Sequence, residues 1–152
     1  MSAEKVRSFL LEHGVEYHTA EHPPAYTTAE TAEAGHIPGH EMAKPVLVMA
    51  DDRLVMAVVP GDRHLDLERV RDVVGADRVR LAGEDEFAPA FPDCEVGAEP
   101  PFGSLYDVSM VVDEAFSRPS ISFNAGTHTD TITMRFDEYL AVTNPKRGPL
   151  TV

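Results

Sequence analysis

The sequence predicts a mixed α/β fold, in which a single compact domain over residues 1–152 is built around a mixed sheet of about six or seven strands. Three observations predict it. The length allows one hydrophobic core without disulfides or metals. The content of 43% hydrophobic and 26% charged residues is typical of a globular chain. Short apolar runs alternate with capped amphipathic stretches, and no repeat, low-complexity stretch or long linker interrupts them.

Four or five short helices are expected around the sheet. The first has Val6, Phe9 and Leu10 on one face and ends at Gly14. Residues 27–30 form a capping box that opens the second helix. The other helices are predicted over residues 67–74 behind an Asp66 cap, over residues 84–90 and over residues 136–142.

Apolar runs bounded by turn residues predict the strands. Residues 44–50 and 54–60 form a central hairpin whose strands are largely buried. Residues 89–103, dense in proline and glycine, form an ordered loop system, and residues 143–152 form a polar C-terminal tail. The remaining strands are predicted over residues 15–20, 78–82, 108–113, 120–125 and 131–134.

The acidic composition limits the partners. A formal charge of −13, from 26 acidic and 13 basic side chains, argues against tight binding of a nucleic-acid duplex, and we expect no DNA binding. A pocket that holds one terminal nucleotide needs only one or two cations. The apolar runs are too short for a membrane span, no signal peptide is visible, and the lone Cys94 cannot form an internal disulfide. We therefore expect a cytoplasmic protein.

A metal site is the first alternative to consider. His36 and His40 have a zinc-ligand spacing, but Pro38 and Gly39 break the helix that would align the two rings. Asp66, in a second set of acidic and histidine residues, is better used as a helix cap. We expect no metal and no cofactor.

Lys44 lies at the mouth of a predicted buried strand, where an ammonium group is costly to bury. Its stem could cover the sheet edge while its head stays in water, which the pattern alone favours. Alternatively, it is a cation at the rim of a pocket, placed to meet a phosphate or a carbonyl group.

Two further segments are unusual. In Gly97-Ala98-Glu99-Pro100-Pro101-Phe102-Gly103 the prolines stiffen a loop whose N–H groups are free of any ladder, so that it can present amides to an acyl oxygen. The same loop could merely connect strands. Phe123-Asn124-Ala125-Gly126-Thr127-His128 ends a strand with small residues, which permits close approach by a ligand or another backbone.

Together these segments resemble the YbaK/prolyl-tRNA synthetase-associated editing domain family over nearly the whole chain. The resemblance implies a partly curved central sheet with short flanking helices and a cleft beside the lysine-bearing strand. It implies an aminoacyl-tRNA deacylase that hydrolyses the ester linking a wrong amino acid to tRNA, often tRNA for proline. The matching segments are His22-Pro23, Thr27-Thr28-Ala29-Glu30, Ala43-Lys44, Val59-Pro60-Gly61-Asp62, Gly97 to Gly103, Val112-Asp113 and Ala125-Gly126-Thr127.

The resemblance also implies roles for residues. Lys44 matches the required lysine, as an electrostatic anchor for the substrate, and residues 97–101 match the loop that positions the substrate carbonyl. The ribose 2′-hydroxyl of the terminal adenosine helps to activate water. The expected partners are the acceptor end of an aminoacyl-tRNA, bound transiently, and an aminoacyl-tRNA synthetase. The residues expected to line the pocket are His22, Tyr26, Phe102, Gly103, Gly126, Thr127 and His128.

Two departures from the family pattern concern the substrate. Pro45 follows the lysine where threonine is common, which removes one backbone donor, and Glu99 places a carboxylate that could repel phosphate or select an amino group. Two other functions stay open. One is a non-catalytic module that docks to a synthetase or a tRNA end, and the other is an esterase for small aminoacyl-like molecules.

Overall fold

Five helices and eight strands make up residues 2–152, the part of the chain that the computed structural model describes; side chains are described from Glu4 onward. The helices are α1 (Ser2–Glu12), α2 (Thr28–Ala34), α3 (Leu67–Val74), α4 (Glu84–Phe87) and α5 (Phe136–Thr143). The strands are β1 (Tyr17–Glu21), β2 (Ala43–Ala50), β3 (Arg53–Pro60), β4 (Val79–Leu81), β5 (Ser109–Asp113), β6 (Ser120–Asn124), β7 (Asp130–Arg135) and β8 (Lys146–Gly148).

The strands form two sheets, which confirms the mixed α/β class and corrects the expectation of one central sheet. The first sheet is antiparallel with the order β1-β7-β6, and the second has the order β4-β2-β3-β5-β8. The second sheet is mixed, because β5 runs parallel to both β3 and β8. A parallel bridge between Met42 and Ser122 links the two sheets. β2 pairs with β3 over its whole length, so only the entry to β2 lies against β6.

The two sheets enclose a common core. Helices α1 and α5 contribute Val6, Leu10 and Tyr139 to it, all without exposed surface. A second cluster lies on the other face of the five-stranded sheet, where Val70 of α3 covers the valines of β3. The strand residues of the common core are Ala43, Leu47, Met56, Val58, Val112, Ile121, Phe123, Ile132 and Met134.

The helix ends follow the sequence. The Thr27 hydroxyl accepts a hydrogen bond from the Glu30 N–H at 3.0 Å, and the Asp66 carboxylate accepts one from the Glu68 N–H at 3.0 Å. Gly75 ends α3 with φ at +71°, in the left-handed region that favours glycine. These local patterns confirm the predicted starts of α2 and α3.

The predicted polar tail is wrong for most of residues 143–152. β8 pairs with β5, and Leu150 has no exposed surface. The buried Asp113 carboxylate accepts hydrogen bonds from the Leu150 N–H at 3.1 Å and the Thr151 hydroxyl at 2.6 Å. A buried carboxylate therefore holds a segment whose own apolar content is small. Among residues 2–152, no helix has the length and apolar character needed to cross a membrane.

Candidate functional site

Strand β6 brings the lysine-bearing strand to the site. The Ser122 N–H donates to the Glu41 carbonyl oxygen at 2.9 Å, next to the bridge between Met42 and Ser122. Lys44 lies two residues after this bridge on β2, and Asn124 lies two residues after it on β6. Their neighbours Ala43 and Phe123 belong to the common core, so the alternation of a strand directs Lys44 and Asn124 away from that core.

Lys44 is half-buried, and it has no ion pair within 4.0 Å among the described residues. On β2 it pairs with Val59 of β3. The following Pro45 lies in the half of β2 that β4 does not reach, because β4 pairs only with residues 48–50. A proline is tolerated at such an open strand edge, where its missing N–H breaks no ladder bond on that side.

The proline-rich loop is fastened to the far end of the same strand. The Gly126 N–H donates to the Ala98 carbonyl oxygen at 2.9 Å, and the Glu95 N–H donates to the Gly126 carbonyl oxygen at 2.8 Å. Ser122 and Gly126 are four residues apart, about 13 Å along a strand. The structure therefore joins the lysine-bearing strand to β6, and the loop to the turn that follows β6.

The interior of the loop is organised by Glu99, whose side chain is almost fully buried. The Gly97 N–H donates to its carboxylate at 3.2 Å, and the N–H of Glu99 itself also acts to lower the pKa of this carboxyl. Burial raises the pKa of the Glu99 carboxyl, and these two amides partly oppose the rise. The carboxylate thus occupies an amide of the loop that would otherwise be available to an acyl oxygen.

The end of the loop is anchored in the common core. The Tyr139 hydroxyl donates to the Pro101 carbonyl oxygen at 2.7 Å, and Pro100 and Pro101 are buried. The Phe102 ring has no exposed surface and packs edge-on against Phe123, with centroids 5.2 Å apart. Gly103 is buried against the backbone of Val108. The structure therefore places Phe102 and Gly103 beneath the loop as its support.

His128 connects the loop to the segment before α2. Its Nε2 lies 2.8 Å from the Val96 carbonyl oxygen, and its Nδ1 lies 3.2 Å from the Ala25 carbonyl oxygen. The ring also contacts the exposed ring of Tyr26, with centroids 4.8 Å apart. Two of the predicted pocket residues, Tyr26 and His128, thus lie together, and Gly97 of the loop lies beside the His128 ring.

Two buried acceptors near this cluster have no partner among the described residues. One is Asn124 Oδ1, and the other is His22 Nε2. His22 Nδ1 lies 2.8 Å from the Pro23 carbonyl oxygen, to which it donates, so Nε2 of a neutral ring is an acceptor. Asn124 was not among the predicted site residues. The signal in the sequence that could have identified it is a polar residue at the end of the apolar run of β6.

Thr127 supports the turn that follows β6, where its hydroxyl donates to the Asp130 carboxylate at 2.5 Å. The histidines considered for a metal are differently placed. His40 lies 3.9 Å from the Asp62 carboxylate, and His36 adopts a left-handed turn conformation with φ at +55°. Within residues 2–152, no three His, Cys, Asp or Glu side chains gather as metal ligands do.

The model of the aminoacyl-tRNA editing domain matches residues 22–142. The chain belongs to this family. The matched range contains every residue of the site described above. This editing domain is 31% identical over 80 residues to a proline–tRNA ligase of Bacillus cereus (strain AH187). The 80 aligned residues cover 53% of this chain and 14% of the ligase. The domain therefore spans about a seventh of the length of the curated relatives it matches.

Solved structures share the fold of the editing domain. One, a proposed trans-editing enzyme for prolyl tRNA synthetase, superimposes with a TM-score of 0.85 at 23% identity, covering 99% of this chain and 97% of the other. A second, described as a hypothetical protein, superimposes with a TM-score of 0.86 at 22% identity, covering 97% and 99%. Both are similar to this chain in fold, which confirms the predicted fold class.

Proposed function

We propose that this editing domain is an aminoacyl-tRNA deacylase, which hydrolyses the ester that joins a wrong amino acid to the terminal ribose of a tRNA. One observation carries the proposal beyond family membership: strand β6 and the turn that follows it hold both the entry to the lysine-bearing strand and the proline-rich loop. Ser122 contacts the first, and Gly126 contacts the second. The two candidate groups thus lie on one frame.

The chemistry requires little more. An aminoacyl ester is an activated bond, so its hydrolysis depends on orienting a water and stabilising the oxyanion that develops. The amides of Gly97 and Glu99 are the candidate donors to the carbonyl oxygen, because the Ala98 N–H donates to the Glu95 carbonyl oxygen at 3.0 Å. Lys44 supplies a positive charge for a phosphate or ribose oxygen, and it forms no covalent bond. The ribose 2′-hydroxyl of the substrate helps to activate the water.

The two orphan acceptors fit the amino acid part of the substrate. An α-ammonium group carries three donors and needs acceptors. Asn124 Oδ1 and His22 Nε2 are buried acceptors without partners, so they are our candidates for holding it. This assignment leaves the selection of the amino acid side chain to the surface near Tyr26 and His128.

The substrate we propose is a mischarged tRNA for proline, and the proposed partner is the synthetase that charges it. The proposal is supported by the 31% identity to a proline–tRNA ligase. A role in translation fidelity would place the protein in the cytoplasm. Because the chain is acidic overall, we expect transient capture of the acceptor end and not extended binding.

A non-catalytic binding module is the second candidate, and one observation favours it. The Gly97 amide already donates to the Glu99 carboxylate, and the Ala98 amide donates to the Glu95 carbonyl oxygen. If these two amides stayed occupied with substrate bound, they would stabilise no oxyanion. The pocket would then only hold the end of a tRNA.

A substrate panel tests the proposal. Wild-type protein is incubated with tRNA for proline charged with proline, alanine or cysteine, and with the methyl esters of the same amino acids. We expect release of a wrong amino acid from tRNA at a rate far above that of the esters. Binding of tRNA without turnover on any substrate would support the non-catalytic module. Equal turnover of the simple esters would support an esterase.

A further inference from the structure

Three arginines surround a surface cavity of about 590 Å³ at the opposite end of β6 from the candidate site. Arg118 and Ser120 line it at the start of β6, Arg135 lines it at the end of β7, and Arg147 lines it from β8. The side chains of Phe136 and Leu140 form its apolar part. We call it the arginine cavity.

The arginine cavity is positive in an acidic chain. Its one carboxylate, Asp137, is already bound by Arg135 through two hydrogen bonds of 2.7 and 3.0 Å. Arg147 donates to the Asp113 carbonyl oxygen at 2.9 Å and lies 5.3 Å from the centroid of Phe136, which fixes its orientation. Among the described residues, no carboxylate lies within 4.0 Å of Arg118. Two guanidinium charges are therefore left without a carboxylate.

The position of the cavity relates it to the site. Arg135 pairs with Ser120 at the start of β6, whereas the proline-rich loop is fastened to Gly126 beyond the end of this strand. Ser120 and Gly126 are six residues apart, which is at most about 20 Å of extended chain. Nucleotides stacked in a helix follow each other at roughly 3.4 Å along its axis. Along a stacked strand, the cavity thus lies about six nucleotides from the loop.

We propose that the arginine cavity binds phosphates of the acceptor stem while the terminal adenosine occupies the candidate site; this rests on the proposed function. The unpaired 3′ end of a tRNA is only a few nucleotides long, so a contact at this distance falls within the stem. The planar guanidinium group matches phosphate oxygens in pairs, and a phosphate backbone is read without regard to base sequence. This local positive site provides the affinity that the overall charge of −13 opposes.

The test compares a long and a short substrate. Arg118→Gln and the double variant Arg118→Gln/Arg147→Gln are assayed for deacylation of charged tRNA and of a charged CCA trinucleotide, which cannot reach the cavity. We expect kcat/KM on the tRNA to fall roughly tenfold in the double variant and to stay unchanged on the trinucleotide. The dependence of tRNA affinity on salt should become shallower by about one in log-log slope for each arginine removed.

The control is Arg53→Gln/Arg78→Gln, which removes the same charge from exposed positions away from the cavity. Arg118 contacts no carboxylate, so its single variant reports on the cavity even if the double variant melts earlier. Equal losses in the control, equal losses on the trinucleotide, or unchanged values on tRNA would each overturn the proposal. So would unchanged tRNA values with lost binding to the synthetase, since the cavity would then bind an acidic protein surface.

Binding separates this proposal from the proposed function. Fluorescence anisotropy with uncharged tRNA measures affinity without any hydrolysis. If wild-type protein deacylated nothing but the double variant still bound tRNA more weakly than the control, the cavity proposal would stand and the deacylase proposal would fail. Wild-type deacylation with identical tRNA affinities in all variants would give the reverse result.

Discussion

The Gly126 N–H and the Ala98 carbonyl oxygen form a hydrogen bond of 2.9 Å that fastens the proline-rich loop to the end of β6. Both neighbouring turns use glycine, because φ is +88° at Gly97 and +101° at Gly126. Residues with a side chain rarely adopt such angles. The position of the loop therefore depends on two backbone conformations and one amide.

Gly97→Ala tests this dependence. An added Cβ at residue 97 would lie 3.5 Å from the His128 ring, and the positive φ adds about 1 kcal/mol of strain. We expect the loop to shift and deacylation to fall by at least about tenfold, since small displacements of positioning groups are costly.

Gly75→Ala is the matched control, because Gly75 has φ at +71° and open space around its added Cβ. Both variants should lose similar stability in thermal melting, and only Gly97→Ala should lose activity. Equal activities in the two variants would contradict a positioning role for the loop.

Lys44→Met removes the ammonium group and keeps most of the stem. The half-buried Lys44 has no ion pair within 4.0 Å among the described residues, so its removal leaves no buried carboxylate unpaired. We expect the melting temperature and far-UV circular dichroism to stay as in wild type while deacylation is lost. Lys5→Met, a change of the same kind on α1, should keep its activity. A Lys44→Met variant that turns over at the wild-type rate would end the anchor hypothesis.

Glu99→Gln tests whether burial of the Glu99 carboxylate lowers the stability of the folded protein. Burial raises the pKa of Glu99 above its ordinary value of 4.5, so the folded protein holds this proton more tightly than the unfolded chain does. Below pH 4.5 the carboxyl group is protonated in both states, and its burial does not lower the free energy of unfolding. As the pH rises from 4.5 to the raised pKa, the unfolded chain loses its proton first and the free energy of unfolding falls. Above the raised pKa, the free energy of unfolding falls no further.

The glutamine keeps an acceptor for the Gly97 amide and cannot ionise. We therefore expect the variant to melt above wild type at pH 7 and at the same temperature at pH 4. The exposed Glu16→Gln serves as the control and should match wild type at both values. A Glu99→Gln variant that is less stable at pH 7 would show that the charge itself holds the loop.

Thr151→Val tests the attachment of the C-terminal segment. The Thr151 hydroxyl donates to the buried Asp113 carboxylate at 2.6 Å, so its loss leaves an acceptor without its donor. We expect the free energy of unfolding to fall by about 1–3 kcal/mol in urea titration. Thr19→Val, on an exposed strand position, should change it by less than about 0.5 kcal/mol. Equal values for the two variants would mean that Asp113 is not held by this contact.

Local patterns predicted most of the elements, because caps and hairpins depend on neighbours in sequence. The Thr27 and Asp66 caps and the hairpin of β2 and β3 are examples. The way the two sheets meet depends on the bridge between Met42 and Ser122, 80 residues apart, which no local pattern encodes. β8 was missed because Lys146-Arg147-Gly148 is polar and too short to show alternation.

The candidate site was predicted in outline. Proline and glycine content pointed to the loop, and an isolated lysine before an apolar run pointed to Lys44. The contact of the Glu99 carboxylate with the Gly97 amide could not be predicted, because it depends on the burial of Glu99, which composition does not encode. The same holds for the orphan oxygen of Asn124, because its missing partner is a property of the packed chain.

The histidine between the loop and the segment before α2 has a further consequence. Both of its ring nitrogens face carbonyl oxygens, Val96 on one side and Ala25 on the other, and a carbonyl oxygen only accepts. A neutral imidazole carries one N–H, so it can tie down one of the two segments at a time. Moving that hydrogen from one nitrogen to the other would change which segment accepts the hydrogen bond, the loop or the segment before α2, without any change in the ring's position.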